Sequence, residues 1–164
     1  MGTLVLLRHA KADRPNGVAD IDRPLTERGH ADSAAAGAWL LKNGYVPGLV
    51  LCSPAKRTRQ TWHSVAVAVA SSGAPHVRYE RAIYDGNAEE LLKLVQSITE
   101  DVETVVLIGH NPSISYLSEL LDAESEADSD GLRTGGIVVH QADSPWSSLT
   151  QAPRVATHTA RAAA

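Results

Sequence analysis

Three apolar runs of four residues, Leu4–Leu7, Leu49–Cys52 and Val105–Ile108, each break onto polar, glycine or proline positions. Uninterrupted runs of this length suggest strands buried on both faces, as in a parallel sheet covered by helices on either side. The residues just beyond them are unusual. The first run delivers Arg8-His9-Ala10, the second Ser53-Pro54-Ala55-Lys56-Arg57-Thr58-Arg59-Gln60-Thr61, and the third Gly109-His110-Asn111-Pro112. In open α/β sheets, chemistry collects just beyond the carboxyl ends of the strands. Two imidazoles and at least two guanidiniums are therefore expected at one rim, a collection suited to holding a phosphoryl group.

The intervening segments read as helices and turns. Thr26 is placed to cap a helix through Ala31–Leu41 that stops at Asn43-Gly44. A second helix is expected from Pro54-Ala55 to Ser71, and a short strand over His76–Tyr79. Asn87 and Glu90 have capping-box spacing ahead of the apolar face Leu91, Leu92, Leu94, Val95 and Ile98. Asn111-Pro112 supplies an N-cap and a first-turn proline for a helix over Ser113–Leu121. The acidic segment Asp122–Asp130 reads as a solvated loop, Gly136–His140 as a strand and Ser147–Thr157 as a last, edge strand. Alternating β and α elements predict an α/β fold, a three-layer αβα sandwich with a mostly parallel central sheet. One domain over residues 1–157 is expected, with 158–164 as a frayed tail.

Composition narrows the class of function. The 164 residues carry a formal net charge of −4, without the basic field of a nucleic-acid binder. No apolar stretch approaches the ~20 residues that span a bilayer, so no membrane partner is expected. The first strand begins without the charged region, apolar region and cleavage site of a signal peptide, and the single Cys52 fits a reducing compartment. A cytoplasmic protein is the expectation.

Alternative chemistries fit the motifs poorly. Zinc needs three or four His, Cys or carboxylate ligands without permanent cations among them, and neither His9 nor His110 has a third ligand beside it. No metal or other cofactor is therefore expected. A cysteine phosphatase loop needs an arginine six positions after its cysteine, where this chain has Thr58, and no nucleotide-binding glycine loop occurs. Arg57 and Arg59 lie two apart near a helix start and cannot share a face, so one of them is left out of any pocket.

Arg8-His9-Ala10, Ser53-Pro54 with Arg57 and Gln60-Thr61, and Gly109-His110-Asn111-Pro112 resemble the histidine phosphatase, or phosphoglycerate-mutase-like, superfamily. The small size, Asp22–Gly29, Ile83-Tyr84 and Thr134-Gly135-Gly136 resemble its SixA-type phosphohistidine phosphatase branch. The resemblance implies a phosphatase in which His9 is the nucleophile that becomes phosphorylated. Arg8, Arg57 and His110 would bind the phosphoryl oxygens, with Arg57 taken over Arg59 by motif position. Asn16 falls where some relatives place a phosphate-contacting asparagine. The implied substrate is a phosphohistidine on a partner protein or a small phosphate ester; a phospho-binding module without catalysis is the third reading, and the intact His9 argues against it.

The leaving group separates the two substrates. An alkoxide benefits from a general acid, whereas a protonated phosphohistidine ring departs as neutral imidazole. Many superfamily members carry a carboxylate directly after the second histidine; here that position is Asn111. Asp85 is the remaining candidate for an acid, although a turn residue of Asp85-Gly86 is the more ready reading of it.

Overall fold

The structure, a computed structural model, describes residues 2–124 and 131–163. The chain runs β1 (Gly2–Arg8), α1 (Glu27–Lys42), β2 (Leu49–Cys52), α2 (Lys56–Val69), β3 (His76–Tyr79), α3 (Arg81–Asp85) and α4 (Ala88–Gln96). It continues through β4 (Thr104–Gly109), α5 (Ser113–Leu121), β5 (Gly136–Ala142) and β6 (Arg154–Thr159). The strands form one sheet in the order β3-β2-β4-β1-β5-β6. Its β3, β2, β4 and β1 strands are mutually parallel, while β5 and β6 are antiparallel to their neighbours. This is the α/β sandwich with a mostly parallel sheet that the alternation predicts.

The three apolar runs lie side by side at its centre, and their period of two divides the core. Leu4, Leu6, Leu49, Leu51, Val105 and Leu107 face Ile83, Leu91, Val95, Ile114 and Leu117 of α3, α4 and α5. Val5, Leu7, Val50, Cys52, Val106 and Ile108 face Ala36 and Leu40 of α1 and Trp62, Val65 and Val69 of α2. Full burial of each such leucine or isoleucine contributes about 1.5–3 kcal/mol, which holds the register from both sides.

Local signals behave as their chemistry demands. Thr26 Oγ1 accepts from Gly29 N at the start of α1, and Asn87 and Glu90 make both bonds of the capping box at α4. The start of α5 differs. Its cap position is Pro112, after a cis Asn111–Pro112 bond, and no side chain caps it. Asn111 is committed elsewhere: its amide donates to Leu132 O and its oxygen accepts from Ser115 Oγ. The last strand also begins later than Ser147 and runs on through His158 and Thr159. His158 stacks on Trp39 at 4.8 Å, and Ala160 is buried with its N–H donated to Gly135 O. Those residues, expected as part of a frayed tail, are held in the fold. Of the acidic loop, residues 125–130 lie outside the described residues.

Candidate active site

Register brings the functional side chains together. Arg8 pairs with Gly109 and Cys52 with Ile108, so β1, β4 and β2 end level. His9, His110 and Ser53 are the first residues beyond those ends, and His9 N and Ser53 N still donate across to Gly109 O and Ile108 O. A turn closes over β1: Gly135 N donates to the carbonyls of Arg8 and His9. Its φ of +72° lies in the left-handed region that favours glycine. The result is a cleft of about 320 Å³. Arg8, His9, Lys11, Arg14, Arg23, Arg57, His110, Asn111 and Thr134 line it.

His9 is 7% exposed. Its Nδ1 lies 2.7 Å from Ala10 O; a carbonyl can only accept, so Nδ1 carries the hydrogen. Nε2 therefore keeps the lone pair. Burial, with the nearby His110, Arg57 and Arg8, pushes the imidazole down to about 3, which leaves it neutral near pH 7. His110 sits with its ring centroid 5.3 Å from that of His9 and is pushed down to about 4, chiefly by burial and then by Arg57. Its Nε2 meets Ser53 Oγ at 2.7 Å. Ser53 Oγ also accepts from Ala55 N, which holds it against the His110 ring.

Arg8 and Arg57 complete the set. Arg8 Nη1 donates to Leu132 O, and burial followed by the charge of Arg57 lowers its pKa. Arg57 is 6% exposed and is gripped by one residue: Nη1 donates to Asp20 O at 2.7 Å and Nη2 to the Asp20 carboxylate at 3.1 Å. Arg59 goes elsewhere, donating from Nε to Pro54 O, and it does not line the cleft. Arg8 Nε, Arg57 Nε and His110 Nδ1 are buried without a hydrogen-bond partner among the described residues. Buried polar atoms without a partner are uncommon, and each calls for a reason, a bound ligand being one. Among the described residues no group of three His, Cys, Asp or Glu comes together as a metal site.

Two residues named from the sequence stand apart. Asp85 ends α3, accepts from Arg81 Nε at 3.1 Å on an exposed surface and does not line the cleft. Asn16 is exposed in a turn and does not line it either. Cys52 is fully buried and its thiol is pushed up to about 12, as suits a core residue.

The residue that sequence reasoning missed is Asp20. Its carboxylate also accepts from Tyr84 O–H at 2.7 Å and from Arg23 Nη1 at 3.1 Å. The Tyr84 bond first, then the two arginines, hold it well below the usual carboxylate range. Nothing local marks Asp20 in a polar loop, although Arg23 three residues on is the spacing of a paired charge. Tyr84 also sets its ring edge-on to His110 at 5.6 Å.

Comparison with known proteins bears on the family and the fold. The family described as histidine phosphatase superfamily, branch 1, matches residues 4–81. The Mycobacterium tuberculosis protein Rv1276c, itself uncharacterized, is 33% identical over 150 residues, covering 87% of this chain and 91% of that one. A solved structure from Nakamurella multipartitia, assigned as phosphohistidine phosphatase SixA, superposes with a TM-score of 0.85. It is 32% identical, over 97% of this chain and 96% of its own. A second, from Agrobacterium tumefaciens and assigned in the same way, gives 0.79 and 29% identity over 95% and 97%.

Proposed function

Because this chain belongs to the histidine phosphatase superfamily and is a phosphatase, we propose that it works without a metal, through a phosphohistidine formed on His9, and acts on phosphohistidine carried by a protein. The observation that carries the mechanism is the tautomer of His9. With Nδ1–H given to Ala10 O and protonation pushed down to about 3, Nε2 is a lone-pair nucleophile lining a cationic cleft. Three buried nitrogens without partners among the described residues belong to Arg8, Arg57 and His110, which line the same cleft. Fixed cations of this kind stabilise charge on the transferred phosphoryl, which is most of what the reaction asks of a protein.

In the first step Nε2 of His9 forms a bond to phosphorus as the bond from phosphorus to the leaving group breaks, its electron pair departing with that group. Water then attacks the phosphohistidine; the N–P bond breaks toward Nε2, releasing inorganic phosphate and restoring His9. The substrate reading rests on the leaving group. No carboxylate lines the cleft among its described residues, Asp85 is paired with Arg81, and Asp20 is ionised and held by three donors. Departure as imidazole, with the substrate ring protonated, needs no acid from the enzyme, whereas an alkoxide does. The similarity to two proteins assigned as phosphohistidine phosphatases supports the same choice.

A leaving-group series tests both halves. Brief exposure to labelled phosphohistidine peptide is expected to trap an acid-labile, base-stable adduct on His9. Turnover should rank phosphohistidine above aryl phosphates and aryl above alkyl phosphates, with chelators without effect. Fast alkyl-phosphate hydrolysis, or an adduct on another residue, would overturn the proposal.

A further inference from the structure

The cleft carries more positive charge than one phosphoryl group uses. Arg8, Arg23 and Arg57 stand against the single carboxylate of Asp20, a surplus of two charges. A phosphoryl group carries about −1.5 to −2, so these residues alone come close to neutralising it. Lys11 and Arg14 line the same cleft in addition. Both are exposed, and neither side chain makes a hydrogen bond or ion pair among the described residues. Their neighbours do not consume them. Asp13 accepts from the backbone N–H of Arg14, Asp20 serves Arg23, Arg57 and Tyr84, and Asp22 does not line the cleft.

The loop is also held in place. Asp13 N donates to Pro24 O, Arg23 Nε to Asp13 O, Thr26 N to Lys11 O, and Ala12 bridges Leu25. Gly29 packs so closely on Lys11 O that a Cβ there would sit 2.2 Å from it. Two cations without a partner among the described residues thus stand on a braced backbone, two and five residues beyond His9. A cleft of about 320 Å³ has room for roughly ten waters, well beyond a phosphoryl group.

We propose that Lys11 and Arg14 form a second anion subsite, which selects substrates carrying an acidic group beside the phosphoryl group that is transferred. The inference rests on the reading that this cleft transfers phosphoryl groups, and it specifies the surroundings of the substrate phosphohistidine: carboxylates close to it on the partner's surface. An arginine also gives a flanking carboxylate a bidentate partner, which lysine cannot.

The experiment measures kcat/KM at low ionic strength for two phosphohistidine peptides, one flanked by Asp and Glu and one by Ser and Gln. The intact enzyme should favour the acidic peptide about tenfold or more, the scale of one or two charge-assisted hydrogen bonds. Lys11→Ala/Arg14→Ala should bring the ratio close to one, and added salt should shrink it in the parent enzyme. Lys42→Ala, which removes a cation at the far end of α1, should keep the parent ratio. No preference in the parent, or a preference that survives the double substitution, overturns the inference. If phosphohistidine is not a substrate but esters are, the substrate reading fails separately. A pair of aryl phosphates with and without a carboxylate then decides the subsite by the same ratio. Calorimetric binding of pyrophosphate relative to phosphate decides it without turnover: the double substitution should lower that ratio, and an unchanged ratio counts against the subsite.

Discussion

Two buried histidines in this molecule begin from the same chemistry and end in different roles. His9 and His140 both give Nδ1–H to a main-chain carbonyl, Ala10 O at 2.7 Å and Ala152 O at 2.8 Å, and burial lowers the pKa of each. They part at the other nitrogen. With its hydrogen on Nδ1, His140 accepts at Nε2 from Ser118 Oγ, 2.8 Å away, and Ser118 Oγ accepts from Arg154 Nη2. That ring is a satisfied link tying β5 to α5 and to the segment before β6. His9 Nε2 has no such partner among the described residues and lines a cleft with five cations. Burial and a locked tautomer are thus common to both. A lone pair left open beside fixed positive charge is what separates the proposed nucleophile from the core histidine.

The largest effect should come from the histidines themselves. His9→Ala is expected to lower turnover by on the order of 10⁴ or more while the protein stays folded and binds phosphate. His140→Gln should keep turnover within a few-fold and lose about 1–3 kcal/mol of stability through its buried partners. Parallel kinetics and denaturant melts separate the two; a folded His140→Gln protein as inactive as His9→Ala would break the comparison.

Next come the cations that distinguish His9's surroundings. Arg57→Ala should cost on the order of 3–4 kcal/mol of transition-state stabilisation, whereas Arg59→Ala, which loses a bond to Pro54 O, should cost far less. Equal losses in kcat/KM would remove Arg57 from its assigned place.

A smaller effect is expected from the carboxylates. Asp20→Asn weakens the grip on Arg57 and should reduce kcat/KM about tenfold, in line with one charge-assisted hydrogen bond. Asp85→Asn disturbs only an exposed pair with Arg81 and should stay within about twofold on every substrate. The reverse ranking would return Asp85 to the site as an acid.

The smallest effect is on stability against pH. Below the ordinary histidine pKa of 6.5 the unfolded chain binds protons that buried His9 and His110 refuse until about 3 and about 4. Unfolding therefore takes up protons, and stability should fall as pH drops from about 6.5 toward 4. His9→Ala should flatten that slope in melts run from pH 7 to pH 4. With an aryl phosphate, which has no imidazole of its own, the kcat/KM profile should lack a limb from an enzyme histidine near 6.5.

Much of this was legible in one dimension. Four-residue apolar runs define buried strands, and the residue after each strand end is known by counting, so Arg8, His9, Ser53 and His110 could be placed at one rim. The caps at Thr26 and at Asn87 with Glu90 were legible because their partners lie three residues away. The five-residue α3 is too short to carry a periodic signal. Asn111 looked like a cap, but its Oδ1, the atom that would cap, accepts from Ser115 Oγ, while its amide hydrogens go to Leu132 O, 21 residues on.

What only the tertiary structure decided is which polar groups are spent and which are left open. Asp20 reaches Arg57 across 37 residues and Tyr84 across 64, and Leu132 reaches Arg8 across 124. No local pattern encodes such pairs, since hydrogen bonds and desolvation depend on distance in space. By itself the sequence determined the sheet, the strand ends and the histidines that stand on them. Packing determined their protonation, because a neutral His9 with an open Nε2 exists only where burial and a carbonyl acceptor meet.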